Sequence, residues 1–142
     1  MREATILSVA RAVRFSVMRL SRALRSEHSD PSLSLTERSV LASLARIGPM
    51  TPSALAEQER TKAPTMTHVL GELENRKYIQ RIPWESDRRC VDIALTDEGV
   101  AFVHDDQRKP TEWLEAKIRK LSHEEQEILR IAAPILEKLS AP

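Results

Sequence analysis

The chain has 142 residues, 41% hydrophobic and 30% charged, the profile of one soluble globular domain large enough for a real core. An aromatic content of 4% and 3 Gly, among Ala-, Leu-, Arg- and Glu-rich stretches, favour a mainly helical chain. No apolar run approaches the roughly 20 residues that span a bilayer, and 1 Cys excludes an intramolecular disulfide framework. The net charge of +1 is unevenly spread: residues 1–50 hold eight Arg against four acids, while residues 97–142 hold seven bases against ten acids. A pI of 8.0 lies below the value above about 9 that marks a strongly basic nucleic-acid domain. Charge alone therefore supports nucleic-acid binding only weakly. Arg11 and Arg14 interrupt any signal-like apolar segment near the N-terminus, so the cytoplasm is the expected compartment.

In chain order, residues 3–26 place Ile6, Ala10, Val13, Val17, Leu20 and Leu24 at alternating spacings of four and three. That is one stripe of a long amphipathic helix, facing the domain core or a partner helix. Arg11, Arg14, Arg22 and Arg25 fall on another face. Residues 28–32 read as a loop. A second helix starts at Leu35-Thr36-Glu37, with Thr36 the expected N-cap, Leu35 a hydrophobic staple and Val40, Leu41, Leu44 and Ile47 inward; Gly48-Pro49 ends it. Thr51 caps a third, short helix that has Pro52 at its first position and Leu55 and Ala56 inside. A fourth begins at Ala63-Pro64 and buries Met66, Val69, Leu70 and Leu73. Its outer face carries Thr65, Thr67 and His68, with Gly71 and Glu72. These side chains are small and polar where a merely solvated face would carry long Lys and Glu. Short polar groups can approach base edges and hydrogen-bond there.

Tyr78–Ile82 and Cys90–Leu95 alternate as strands, joined by Pro83-Trp84-Glu85-Ser86-Asp87-Arg88-Arg89, a charged hairpin loop. Thr96-Asp97-Glu98 opens a fifth helix through Val103 and Trp113, with Pro110 predicting a kink or break near Asp106. Ser122-His123-Glu124-Glu125 is a capping box for the last helix, whose apolar face includes Ile128, Ala132, Ile135 and Leu139 and in which Pro134 predicts a bend.

Residues 34–99 thus look like a winged helix-turn-helix, and the whole chain resembles the MarR family of bacterial transcriptional regulators. The resemblance is carried by Leu35-Thr36-Glu37-Arg38, by Met50 to Ala56, by Pro64-Thr65-Met66-Thr67 with Leu73-Glu74, and most specifically by Asp87-Arg88-Arg89 followed by Ile93-Ala94-Leu95-Thr96-Asp97-Glu98-Gly99. It implies one continuous fold, mainly α with a small winged β element. In it, the DNA-binding unit 34–99 is flanked by a helical dimerisation region, 1–33 and 100–142. The implied function is a homodimeric, sequence-specific repressor of a pseudo-palindromic double-stranded operator, released by a small-molecule or redox signal. Two recognition helices would enter major grooves about 10 bp apart, with the wings in flanking minor grooves. Pro64, Thr65, Thr67 and His68 would meet the bases, and Arg60 and Lys62 the phosphates. Arg89, oriented by Asp87 and helped by Arg88, would enter the narrow minor groove. The seam would use Ile6, Ala10, Val13, Val17, Leu20 and Leu24 with Ile128, Ala132, Ile135 and Leu139. A small aromatic effector would meet Phe15, Met18, Met50, Phe102 and Trp113, unless these are plain core or seam.

Two positions depart from the family pattern. Lys77 stands where Gly usually ends the recognition helix; either Lys77 takes the left-handed conformation at about 1 kcal/mol, or Asn75 takes over the role. His68 stands where Arg is common, which weakens phosphate contact above neutral pH. Cys90 is a candidate oxidation sensor or a small strand residue. His104-Asp105-Asp106 and His123-Glu124-Glu125 read as solvated helix ends rather than metal ligands. No catalytic constellation, cofactor motif or membrane anchor is present, so a non-enzyme is expected. The alternative to a DNA-binding regulator is a winged-helix protein-interaction module that binds no duplex.

Overall fold

A computed structural model describes residues 2–28 and 30–142; Met1 and Ser29, the latter within the expected loop at 28–32, lie outside the described residues. Six helices and a two-stranded sheet follow in the order α1 (Glu3–Ser26), α2 (Leu35–Ile47), α3 (Pro52–Gln58), α4 (Ala63–Asn75), β1 (Ile79–Pro83), β2 (Val91–Leu95), α5 (Asp97–Ile118) and α6 (His123–Ser140). This is the mainly helical winged fold that the sequence predicts.

The caps explain most of the boundaries. Ser34, not Thr36, caps α2: its Oγ accepts from the Glu37 amide at 3.1 Å, while Glu37 Oε2 accepts from the Ser34 amide at 3.1 Å. Only Ser34 has a Glu three residues on, so the reciprocal capping box prevails over an isolated Thr. Leu35 is consequently the first helical residue and stays exposed instead of acting as a staple. Thr51 Oγ1 accepts from the Ala54 amide, and Ser122 closes the expected box with Glu125.

Lys77 adopts φ +64 at the end of α4. The Tyr78 amide donates to the Leu73 carbonyl and the Lys77 amide to the Glu74 carbonyl, which is a complete Schellman turn. Asn75 remains helical and does not replace it. Arg60, φ +53, ends α3 through the same pair of bonds, from Thr61 to Ala56 and from Arg60 to Glu57. Because the Tyr78 amide is used in this turn, β1 begins one residue later than expected; it pairs antiparallel with β2 from Ile79↔Leu95 to Pro83↔Val91.

The core lies where α2, α3, α4 and β2 converge. Val40, Leu41, Leu55, Met66, Leu70, Leu73 and Ile93 are all under 2% exposed. Met50 adds an antiparallel bridge to Ile93, with N···O distances of 3.1 and 2.7 Å. Ile47, expected inward, is 60% exposed, whereas Leu44, one turn earlier, is buried. Gly99 explains the spacing after Thr96: a Cβ there would stand 2.0 Å from the Tyr78 carbonyl oxygen. Thr96 Oγ1 accepts from the Gly99 amide at 3.0 Å and donates to the Lys77 carbonyl at 2.6 Å. One hydroxyl thus caps α5 and ties it to the end of α4.

Of the kink or break expected near Asp106, the break does not occur: α5 is continuous through Pro110. Pro134 likewise lies within an uninterrupted α6. Neither α1 nor α6 has a buried residue, so their apolar stripes stand on the outside of the chain. No helix among the described residues is long and apolar enough to cross a membrane.

Candidate nucleic-acid interface

Amphipathicity orients α4. With Met66, Val69, Leu70 and Leu73 inside, Pro64, Thr65, Thr67 and His68 are left exposed on one side of the lobe. Thr67 Oγ1 donates to the Ala63 carbonyl at 3.0 Å, so its hydroxyl offers lone pairs, and its methyl, to an incoming ligand rather than a hydrogen. Lys62 sits at the N-cap of α4 without a side-chain cap, exposed beside the helix's free amides. A cation there can share a phosphate with those amides. Arg60 is exposed too, but one guanidinium nitrogen donates to the Ala141 carbonyl at 3.1 Å, so part of its donor set is engaged within the chain.

The hairpin loop is closed by its own backbone. Trp84 donates to the Cys90 carbonyl at 2.9 Å, and Cys90 donates to the Asp87 carbonyl at 3.0 Å. Asp87 receives both the amide and the guanidinium of Arg89: N to Oδ1 at 3.1 Å, Nε to Oδ1 at 3.1 Å, and Nη2 to Oδ2 at 3.2 Å. These bonds from Arg89 hold the Asp87 carboxyl below its ordinary pKa. Arg89 nevertheless stays 91% exposed along its side chain, so it is aimed without being buried. Arg88 is exposed beside it. The structure therefore presents a small polar helix face and an oriented cationic loop on one lobe, with Lys62 exposed at the start of α4.

Sequence reasoning passed over Trp84, an indole 38% exposed at the base of the loop, because the alternating pattern ends before it. It also passed over His28 and Arg38, which gather around Asp106. Asp106 was expected at a solvated helix end but is 9% exposed. The three arrive from separate elements, and only Pro110 hinted that something must serve the Asp106 carbonyl.

The other candidate residues disperse. Ile6, Val17, Leu20, Ile128, Ile135 and Leu139 are 44–68% exposed; Ala10 is exposed, and Val13, Leu24 and Ala132 are half-buried. Val13, Val17, Leu20 and Leu24 face Leu136 and Leu139 across an open groove of about 550 Å³ between α1 and α6. Phe15 and Met18 are exposed on α1, with Arg19 over the Phe15 ring. Met50 and Phe102 pack on the core, where Phe102 stacks on Tyr78 at 4.5 Å, and Lys117 lies over the Trp113 ring. These five do not converge on one cavity, because Met50 and Phe102 are drawn into the core while Phe15 and Met18 point outward. Cys90 is half-buried, its Sγ 3.9 Å from Asp87 Oδ2. Among the described residues no group of three or more His, Cys, Asp or Glu is placed to hold a metal ion.

The winged unit, residues 33–91, matches the family model described as MarR family. The chain is 38% identical to an HTH-type transcriptional regulator of Mycobacterium bovis over 121 residues, 85% of each chain. In fold it is similar to a MarR family protein from Bacillus stearothermophilus, with TM-score 0.82, 19% identity and coverage of 97% and 96% of the two chains. It is similar as well to Streptococcus pneumoniae FabT, whose crystal structure is a complex with DNA, with TM-score 0.73, 23% identity and coverage of 92% and 96%. The likeness in sequence extends beyond residues 33–91 to 121 residues of the chain, and the chain belongs to the MarR family.

Proposed function

We propose that this chain is a duplex-DNA-binding transcriptional regulator that acts as a homodimer, occupying a pseudo-palindromic operator and repressing the promoter beneath it. The observation that carries the reading is the pairing, on one lobe, of the exposed Thr65, Thr67 and His68 face with the Asp87-oriented Arg89. The FabT chain of the same fold is bound to DNA in its crystal structure. The helix face reads base edges in the major groove, and Arg89 with Arg88 enters the minor groove beside it. Lys62 contacts phosphate, and Arg60 joins it once freed from Ala141.

Dimerisation rests on the outer helices. Their apolar stripes stand exposed along both helices, and an extended uncovered apolar face marks an interaction surface. The charges are complementary: α1 carries five Arg and one Glu, whereas α6 carries four Glu with Arg130 and Lys138. A basic α1 therefore pairs favourably with an acidic α6 of a second copy. The regulator works in the cytoplasm, on the nucleoid, with no catalysis of its own. Release needs an effector that binds the non-DNA geometry better than the DNA-bound one. A small aromatic effector would need a site other than the one expected from Phe15, Met18, Met50, Phe102 and Trp113, which share no single cavity. A redox signal would have to act at the half-buried Cys90, whose Sγ lies 3.9 Å from Asp87 Oδ2 in the wing.

Selection of duplexes from a random pool, followed by a salt titration of the winner, tests this. A steep linear fall of log affinity with log salt and a two-fold symmetric site are expected. Absence of duplex binding at low salt refutes the reading in favour of a protein-interaction module.

A further inference from the structure

The lobe bearing α4 and the wing meets the long helices at a polar joint. Asp106 is the one buried charged residue among the described residues. It lies four residues before Pro110, which has no N–H, so the Asp106 carbonyl lacks its helical partner. His28, just beyond α1, takes that place: its Nδ1 stands 3.2 Å from the Asp106 carbonyl oxygen and 3.3 Å from Oδ2. Both are acceptors, so the hydrogen must reside on Nδ1. Arg38, from α2, donates to Asp106 Oδ1 and to the Asp30 carbonyl. The Asp30 carboxylate receives the Ser32 amide at 2.9 Å and its hydroxyl at 2.5 Å. Arg76, at the end of α4, donates to Ser32 Oγ at 3.1 Å and to its carbonyl at 3.2 Å. A continuous line of hydrogen bonds thus runs from α1 and α5, through α2 and the loop after α1, to the C-terminal end of α4.

Apolar contacts between helices tolerate small slides, whereas directional bonds do not. Exchange of a buried ion pair for apolar residues of similar volume is often neutral for stability, so such a pair is better explained by orientation than by strength. We propose that the His28–Asp106–Arg38 joint determines operator spacing. It sets the angle at which the α4 lobe leaves the long helices, and hence which separation of half-sites the dimer accepts. None of the three touches DNA; they are positioning residues. The proposal rests on the dimeric DNA-binding reading above.

One added base pair displaces a half-site by about 3.4 Å and turns it by about 35°. The test uses the full chain and its selected operator, with one or two base pairs inserted or removed between half-sites, and a lone half-site as control. Binding is compared by fluorescence anisotropy for the unaltered protein, His28→Ala, His28→Asn and the double variant Arg38→Met/Asp106→Leu. The unaltered protein should prefer one spacing. His28→Ala and the double variant should lose about tenfold of that preference while binding the lone half-site equally well. His28→Asn, whose amide sets a donor near the Nδ1 position, should restore it; a merely structural role predicts no such split between spacing and half-site affinity. Unchanged spacing preference in either folded variant, or no rescue by His28→Asn, overturns the joint. Unfolding of all three variants overturns it too, by assigning these residues to the fold. An unaltered protein that selects no duplex refutes the regulator reading itself, so the two failures are distinct.

Discussion

Replacement of Arg89 by Ala isolates what the wing does. Its side chain is 91% exposed and its bonds run to Asp87, two residues away, so folding stability should change by less than about 0.5 kcal/mol. Binding is another matter. Lys62, Arg88 and Arg89 are exposed on each lobe. With Arg60 added once it is freed from Ala141, two lobes then neutralise about eight phosphates, and log affinity should fall against log salt with a slope of about −7. Arg89→Ala removes two of these contacts and should make the slope shallower by about 2. At fixed salt the loss should be at least about 2 kcal/mol per dimer, roughly thirtyfold. Asp87→Asn gives the complementary result: the cation remains but is no longer held, so operator affinity should fall while the slope keeps its steepness. Anisotropy of a labelled operator between 50 and 200 mM salt reads both variants. An Arg89→Ala protein with the parental slope and affinity would remove the wing from the interface.

Gly99→Ala should destabilise the chain by about 2–4 kcal/mol in urea unfolding, because its Cβ would enter the Tyr78 carbonyl and disturb the cap and ties made by Thr96; a loss under about 1 kcal/mol would contradict the close approach. Lys77→Gly should raise stability by about 1 kcal/mol, a few degrees in Tm, by relieving a left-handed lysine, and an unchanged melting curve would count against strain at that turn. Val17→Glu with Leu20→Glu should yield a monomer in sedimentation whose full-operator affinity is greatly reduced; tight binding by that monomer would refute the seam. The Asp87 carboxyl has its folded pKa lowered below 3.8, so the wing's ion pair is intact above that value and is lost only as pH falls through the lower folded one. Wing-dependent binding should therefore show no carboxylate titration between pH 5 and 8, and a step there in the Arg89-dependent part of the affinity would exclude Asp87 as its cause.

Local chemistry made much of this fold legible in the sequence. Thr51-Pro52, Ala63-Pro64 and Ser122 to Glu125 each carry their helix start in adjacent residues, and the structure places them as read. The buried face of α4 follows from spacing alone, and so does the outward direction of Thr65 and His68. The cap of α2 was misplaced because Thr36 and Ser34 are both competent hydroxyls, and the choice turns on which one Glu37 reaches back to. Pro110 was read by its missing donor as a kink or break, and the helix is not broken there. That rule counts only bonds within the helix, whereas here His28, 78 residues away in sequence, supplies a hydrogen to the freed carbonyl.

The sequence by itself determined the order of the elements, the inner faces of the helices and the residue types on the surface proposed to face DNA. These depend on periodicity and on hydrogen bonds a few residues long. Tertiary structure decided what those elements are to one another. It showed that Gly99 and Thr96 serve the end of α4, that the stripes of α1 and α6 stay uncovered within one chain, and that Asp106 is buried rather than solvated. Each depends on a carbonyl, a cation or an apolar face brought from far along the chain, and spacing along a single element cannot report which distant group will arrive.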